Sequence, residues 1–390
     1  MTPPPLDGVR VIELATVIMG PYACRQLADL GADVVKVEDG VRDQIRSLSP
    51  QRHPGMSGVT LNLHRNKRSI RLDLKSEVDM ARFHELLGDA DVLVTTMRPA
   101  ALERLGLSSA DLRERYPRLI HARAAGFRGN SERANAAAYD DLVQAASGIV
   151  WLNEQVTGEP QYLPTILADK VCGLMLAQSV LAGLLQRDHT GHAPHIEVPM
   201  VESMLEFTLV EHLIGAVFEP PEEPRFGYNR VLSGQRRACR TADGSMCVLP
   251  YSDRNWRDFF GIVGRPDLAA DPRFATMPTR VANADDLYRI LGTLTGAFTT
   301  AELQRRCDEL SIPAYPVESL ESALDSDYIR SGDVVCERIH PTEGPYRTVG
   351  PAARFDGAPL PLRRHAPNIG EHTDEVLGAT QGAPGRERRR

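Results

Sequence analysis

The chain has 390 residues, 42% of them hydrophobic and 25% charged, an ordinary globular composition with length enough for two or more cores. Its 45 basic and 52 acidic residues leave a formal net charge of −7, which argues against a general nucleic-acid or membrane-surface binder while leaving room for a local Arg/Lys cluster around a small polyanion. No N-terminal segment joins a basic start to an apolar stretch and no apolar run reads as long enough to cross a bilayer; the six cysteines are scattered without a C-x-x-C pair, which points to a reducing cytoplasm.

The first part alternates strand and helix signals. VRVIEL (Val9 to Leu14) predicts a strand, a Gly20-Pro21 turn follows, and a helical pattern runs from Tyr22 to Leu30 with Gly31 as its stop. DVVKVE (Asp33 to Glu38) and SIRLDL (Ser69 to Leu74) predict further strands. Ser76 opens a helix to about Leu87, DVLVTT (Asp91 to Thr96) is a strand, Ser108 opens a short helix, and RLIHARAAG (Arg118 to Gly126) is a strand. Strands alternating with helices of this length imply a parallel sheet with right-handed crossovers. The result is α/β and Rossmann-like, but the first turn, ATVIMGPY, lacks G-x-G-x-x-G, so NAD and FAD are not expected.

A long helix is expected from Asp169 to Leu185 and an amphipathic one from Met200 to about Phe218. EPPEEPRFG (Glu219 to Gly227) reads as a linker, and CRTADGSMCVLP (Cys239 to Pro250) as a hairpin turning at Asp243-Gly244. Helices follow, one opened by Thr299-x-x-Glu302; SIPAYPV (Ser311 to Val317) reads as a Pro-rich connector. After Tyr328 the chain is strand- and turn-rich, with a last helix around Thr373 to Leu377. These signals divide the chain into a large N-terminal part (1–205), a linker (206–225), a smaller α+β domain (226–325), a C-terminal return to the large domain (326–380) and a disordered tail (381–390). The eleven histidines show no metal-ligand spacing on a helix, so no metal is assigned; HTGHAPH (His189 to His195) reads as a loop.

Within ILADKVCGLMLAQSVLAGLL (Ile166 to Leu185), Asp169 opens an otherwise apolar helix. By itself this reads as a capping aspartate. The chemical reading is a carboxylate stripped of water, and so more nucleophilic, but kept anionic by amides at a helix start. Lys170 reads as a counter-charge or an exposed lysine, and Gly173 as a place of close approach for a ligand or partner chain.

Five stretches occur together in order: LDGVRVIELATVIMGPYACRQLADLGADVVKVE, RNKRSIRLDLK, MRPAALERLGL with RYPRLIHARAAGF, ADKVCG followed by QRDHTG, and APNIGEHTDEVL. The set resembles class III CoA-transferases, the formyl-CoA and carnitine-CoA transferase family, across nearly the whole chain. The resemblance implies a Rossmann-like large domain built from both chain ends, a smaller domain, and an interlocked homodimer. It implies a reaction that moves CoA from an acyl-CoA thioester to a small carboxylic acid, with coenzyme A as substrate and no permanently bound cofactor. Asp169 stands where the family has its nucleophile, which passes through an aspartyl anhydride and an aspartyl-CoA thioester.

By the same resemblance, CoA contacts fall at Leu72 and Lys75, at Thr96, Met97 and Arg98, and at Arg104. Val17, Ile18 and Met19 lie around the thioester, with Ala138, Tyr139 and Asp140 beside the site. Taken singly, each basic residue also reads as a solvated surface charge. The chain departs from the family where Thr96-Met97 replaces Asn-Phe, Ile18 replaces Gln, Asp39 replaces Arg, and NRVLSGQRRAC replaces a glycine-rich lid; formyl and oxalate are therefore not expected substrates, and the apolar Ile18 suits a larger acyl group. Arg230, Arg236 and Arg237 are candidates to grip an acceptor carboxylate. Two alternatives remain at this point. One is an α-methylacyl-CoA racemase-like epimerase, although Tyr139-Asp140 stands where that branch has His-Asp and tyrosine is a far weaker base. The other is a non-catalytic CoA-binding homologue. The residues 140 and 141 otherwise read as capping or surface acids.

Overall fold

The computed structural model describes residues 3–380 apart from residue 333; the tail expected at 381–390 lies outside the described residues. Six strands form one fully parallel sheet: β1 (Arg10–Leu14), β2 (Asp33–Glu38), β3 (Lys67–Arg71), β4 (Val92–Thr95), β5 (Ile120–Ala125) and β6 (His195–Pro199), in the order β3-β2-β1-β4-β5-β6. This is the doubly wound order, whose direction reverses between β1 and β4. The reversal leaves a crevice at the carboxyl ends of those two strands, and the first turn, Ala15 to Ile18, lies there. Sequence reading misses β6, because HIEVP is short and half polar. It also places β3 two residues late at its start and three late at its end, since Lys67 is a wholly buried lysine inside a strand.

The helices of this part are α1 (Met19–Asp29), α2 (Gly58–Leu63), α3 (Glu77–Gly88), α4 (Pro99–Arg104), α5 (Ser109–Arg115) and α6 (Asp140–Ala146). Helix α1 begins three residues earlier than the apolar pattern suggests, and Pro21 fits its first turn because a missing N–H costs nothing there. Ser108 closes a reciprocal capping box with Asp111 ahead of α5. Val35, Ile70, Phe83, Leu86 and Leu93 form the core between the sheet and α3.

The described residues cluster into two compact units: 3–147, 164–207 and 327–380 make the first, and 148–163 with 208–326 the second. The excursion at 148–163 differs from the single 1–205 piece read from sequence. It carries α7 (Ile149–Thr157), bounded by Gly148 and Gly158, both in the left-handed region, which end the flanking helical turns. Next come α8 (Ala168–Thr190) and α9 (Met200–His212). With 23 residues and a mean hydropathy of 1.4 over its most apolar window, α8 is long and apolar enough to span a membrane by those criteria, which corrects the expectation that no run would be. Half of that window is buried, because α8 packs on α1, β5 and β6 and is apolar on the sides they cover.

The second unit holds α10 (Asn229–Leu232), β7 (Cys239–Arg240), β8 (Ser245–Val248), α11 (Asp253–Ile262), α12 (Met277–Ala282), α13 (Ala284–Leu294), α14 (Thr300–Glu309) and β9 (Ala314–Pro316). The hairpin at Asp243-Gly244 forms between β7 and β8. The presumed connector SIPAYPV instead supplies β9, antiparallel to β8 with Cys247 opposite Tyr315. Trp256, Phe259, Phe260, Leu287 and Leu303 make this unit's core. The short helix α15 (Leu320–Asp325) ends the second unit; back in the first, α16 (Asp327–Ser331) precedes a hairpin of β10 (Val335–His340) and β11 (Gly344–Val349). The last helix, α17 (Thr373–Thr380), packs on β3.

Candidate functional site

The crevice between β1 and β4 is closed by two turns that brace each other. The Thr16 N–H donates to Thr96 Oγ1 at 3.1 Å. A Cβ on Gly20 would lie 2.7 Å from Ala15 Cβ and 2.8 Å from Thr96 Cγ2, so only glycine fits there. Thr96 thus clamps the first turn with its hydroxyl and methyl, which gives a physical account of threonine at this departure from the family pattern. Val17, a β-branched residue, takes φ 65°, a strained conformation that persists only when its surroundings enforce it.

Asp169 lies in the first turn of α8, 8% exposed. It is not the helix cap, a position held by Leu167, so the capping reading is corrected. The backbone amide of Met19, the first residue of α1, favours the charged form of this carboxylate, at a helix start that presents unpaired N–H groups and positive dipole. Among the described residues no cation pairs with it. Lys170 instead donates to Thr165 Oγ1 at 2.8 Å. Gly173 permits a close approach, but of α1 itself: an added Cβ would sit 2.9 Å from Met19 O and 3.1 Å from Tyr22 Cδ1.

Asp140, buried in the first turn of α6, is not a surface acid. Its Oδ1 accepts the Asp169 backbone N–H at 3.1 Å, and its Oδ2 accepts from Gln144 Nε2 at 2.6 Å. Burial, then the negative charge of Asp140, push the Asp169 carboxyl up to about 6 against the opposing pull of the Met19 amide. The amide therefore does not hold Asp169 at an ordinary carboxylate value, as expected from sequence; it limits the rise. Cys172, one turn along α8, is pushed up to about 12 by burial and by the two aspartates, which keeps it a thiol rather than a competing thiolate.

The remaining sequence candidates separate into three groups. Met19, Asp140 and Asp169 converge, with Val17 close by in the first turn. Ile18 departs from expectation: its side chain packs with Ile45 and Leu63 in a small core of its own, so it lends no argument about acyl size. Lys75 and Arg104 line one open groove together with Leu74, Met80, His84 and Arg115; the last three escaped sequence reading because nothing in their local pattern sets them apart from surface helix residues. Leu72, expected as a CoA contact, is instead buried in the core, with its N–H donating to Glu38 O at 3.1 Å. Met97 packs on that same core and its N–H donates to Thr95 Oγ1 at 3.1 Å; Arg98 is the exposed residue preceding α4. Tyr139 is exposed ahead of α6, and Ala138 packs so closely that a Cβ on Gly126 would meet its methyl. In the second unit, Arg230 donates to Tyr288 Oη at 3.2 Å and lies over the Tyr251 ring, while Arg236 and Arg237 are exposed.

A parallel sheet of order 3-2-1-4-5-6 with a buried carboxylate at its reversal point defines the chain as a Rossmann-like α/β protein with a switch-point site. More particularly, the chain belongs to CoA-transferase family III, whose model matches residues 6–373. It is similar to the probable fatty acyl-CoA transferase Rv3272 of Mycobacterium tuberculosis, 31% identical over 96% of this chain and 97% of that protein. It is also similar to the succinate–glutarate CoA-transferase of Agrobacterium fabrum, 30% identical over 96% and 95%. A crystal structure of a CaiB/BaiF family protein from Brucella suis superposes with a TM-score of 0.82 at 26% identity, covering 97% of this chain and all of that one.

Proposed function

We propose that this protein moves CoA from an acyl-CoA thioester to a small carboxylic acid, with Asp169 as the covalent carrier. The observation that carries the reading is the Asp169 carboxylate, buried, with no cation partner among the described residues, its charge favoured by the Met19 amide at the start of α1. With a pKa of about 6 the group is roughly nine-tenths ionised at pH 7, yet poorly hydrated. Its oxygen attacks the thioester carbonyl, the C–S bond breaks, and CoA leaves as thiolate, giving an aspartyl acyl anhydride. The thiolate then attacks the Asp169 carbonyl carbon, the donor acid leaves as carboxylate, and an aspartyl-CoA thioester remains. The acceptor carboxylate attacks that thioester and the same steps return CoA on the new acid. The Met19 amide is the candidate donor to the negative charge that collects on the Asp169 carbonyl oxygen, the role of an oxyanion hole.

The groove of Lys75, Arg104 and Arg115 suits the phosphates of CoA, with Leu74, Met80 and His84 as walls for its adenine. The family relationship supports an interlocked homodimer, and exposed Phe207 and Val210 on α9 supply apolar surface for it. The six scattered cysteines, without a C-x-x-C pair, support a reducing cytoplasm.

The test is peptide mass spectrometry after incubation with acyl-CoA and hydroxylamine or borohydride. The reading requires a hydroxamate or a reduced side chain at Asp169. Hydrogen exchange at the acyl α-carbon with Asp169 unmodified would favour the racemase alternative, and neither signal would leave a CoA-binding protein.

A further inference from the structure

Beneath the first turn lies a cluster of ionisable side chains that the proposed chemistry does not use. Glu13, Lys36, His64 and Lys67 are wholly buried and Asp43 nearly so. Lys36 Nζ is 3.3 Å from Glu13 Oε1 and 2.9 Å from Asp43 Oδ2; Lys67 Nζ is 2.7 Å from Glu13 Oε2 and 3.2 Å from His64 Nδ1. Both ammonium groups also reach out of the cluster. Lys36 donates to Ala15 O at 2.7 Å and Lys67 to Pro21 O at 2.8 Å, while Asp43 Oδ1 accepts the Val17 N–H at 3.2 Å. Three charged groups therefore grip the backbone on both sides of Met19. The strained φ of Val17 lies inside the grip.

Buried charges are costly, and apolar residues of similar volume generally stabilise a fold as well or better. Their retention under one turn calls for a reason in that turn. We propose that Lys36, Asp43 and Lys67, with Glu13 as the shared counter-ion, are positioning residues that hold the Ala15–Pro21 turn so that the Met19 amide faces Asp169. His64, driven towards its neutral form by burial and by Lys67, Lys36 and Arg46, accepts from Lys67 without adding charge. Lys36, although burial disfavours its charge, is held ionised by Glu13, Asp43 and Glu38.

The inference rests on the reading of Asp169 as acyl carrier, and its test separates the two. The charge-neutral pair Glu13→Gln/Lys67→Met releases Pro21 O, and Lys36→Met/Asp43→Asn releases Ala15 O. In each folded variant, amide hydrogen exchange at residues 15–21 is expected to quicken at least about tenfold while exchange in β4 and β5 stays put. The kcat is expected to fall about 10- to 100-fold with KM for acyl-CoA within about threefold, as when an interaction made only in the transition state is lost. Parental exchange and kcat in either folded pair overturn the proposal, as does loss of the folded state in both. An inert Asp169→Asn variant supports the carrier reading whatever the exchange experiment gives, and an active one sinks that reading while leaving the exchange result to stand or fall by itself.

Discussion

Asp140 Oδ1 accepts the backbone N–H of Asp169 at 3.1 Å, so one acid orients the helix turn that carries the other. The same proximity sets up a titration. Burial first, and then the Asp140 charge, bring Asp169 to about 6. On the proposed reading kcat/KM falls below about pH 6 as the carboxylate is protonated. Asp140→Asn keeps an oxygen for the N–H but removes the like charge, so Asp169 ionises more easily and the acidic limb shifts to lower pH. A pH–rate profile of parent and variant checks both statements; a limb that stays fixed would assign it to another group.

Asp169→Asn should abolish transfer, by at least about 10³-fold, since no oxygen nucleophile remains. It should also stabilise the fold. A carboxyl raised from 3.8 to about 6 binds its proton more tightly in the folded state. Its stabilising contribution is complete below the unfolded value and is lost as pH rises through 6. At pH 8 the asparagine variant is therefore expected to be more stable by on the order of 1–3 kcal/mol, and at pH 4 by little or nothing. Urea unfolding at the two pH values measures the difference.

Gly173→Ala would ordinarily help a helix interior by up to about 1 kcal/mol. Here the new methyl would press on Met19 O at 2.9 Å and Tyr22 Cδ1 at 3.1 Å, so a net loss of about 1–3 kcal/mol is expected. Because the displaced atoms begin α1, kcat should fall by more than the loss of folded protein explains. Thermal melts alongside active-site-normalised rates make the comparison.

Arg104→Ala and Lys75→Ala act on the groove rather than on the carboxylate. Each is expected to raise KM for acyl-CoA about tenfold, the equivalent of roughly 1.4 kcal/mol for a charge-assisted phosphate contact, and to leave kcat nearly unchanged. Both effects should shrink as salt is added. A truncated thioester lacking the 3′-phosphoadenosine should be insensitive to either change.

The alternating strands and helices of residues 9–126 were legible because period-two and period-3.6 patterns survive wherever one face is buried. Asp169 was legible as an acid in an apolar helix. What escaped were groups whose partners lie far along the chain. Gln144 looks like any helix glutamine until Asp140 Oδ2 is seen 2.6 Å away. Lys36 interrupts an apolar strand and Lys67 opens the next; both look like solvated lysines, and only the parallel register of β2 and β3 reveals that they are enclosed. β9 was lost to its prolines, which are tolerated because Pro316 ends the strand at the sheet edge.

The hydropathy of α8 has a consequence for how the chain is made. As it leaves the ribosome, this 23-residue segment emerges after β1 to β5 and α1, the surfaces that cover it, and before β6. An N-terminal deletion that removes α1 would strip the segment of its shelter, and such a fragment should partition into lipid vesicles or precipitate, whereas the full-length chain should do neither.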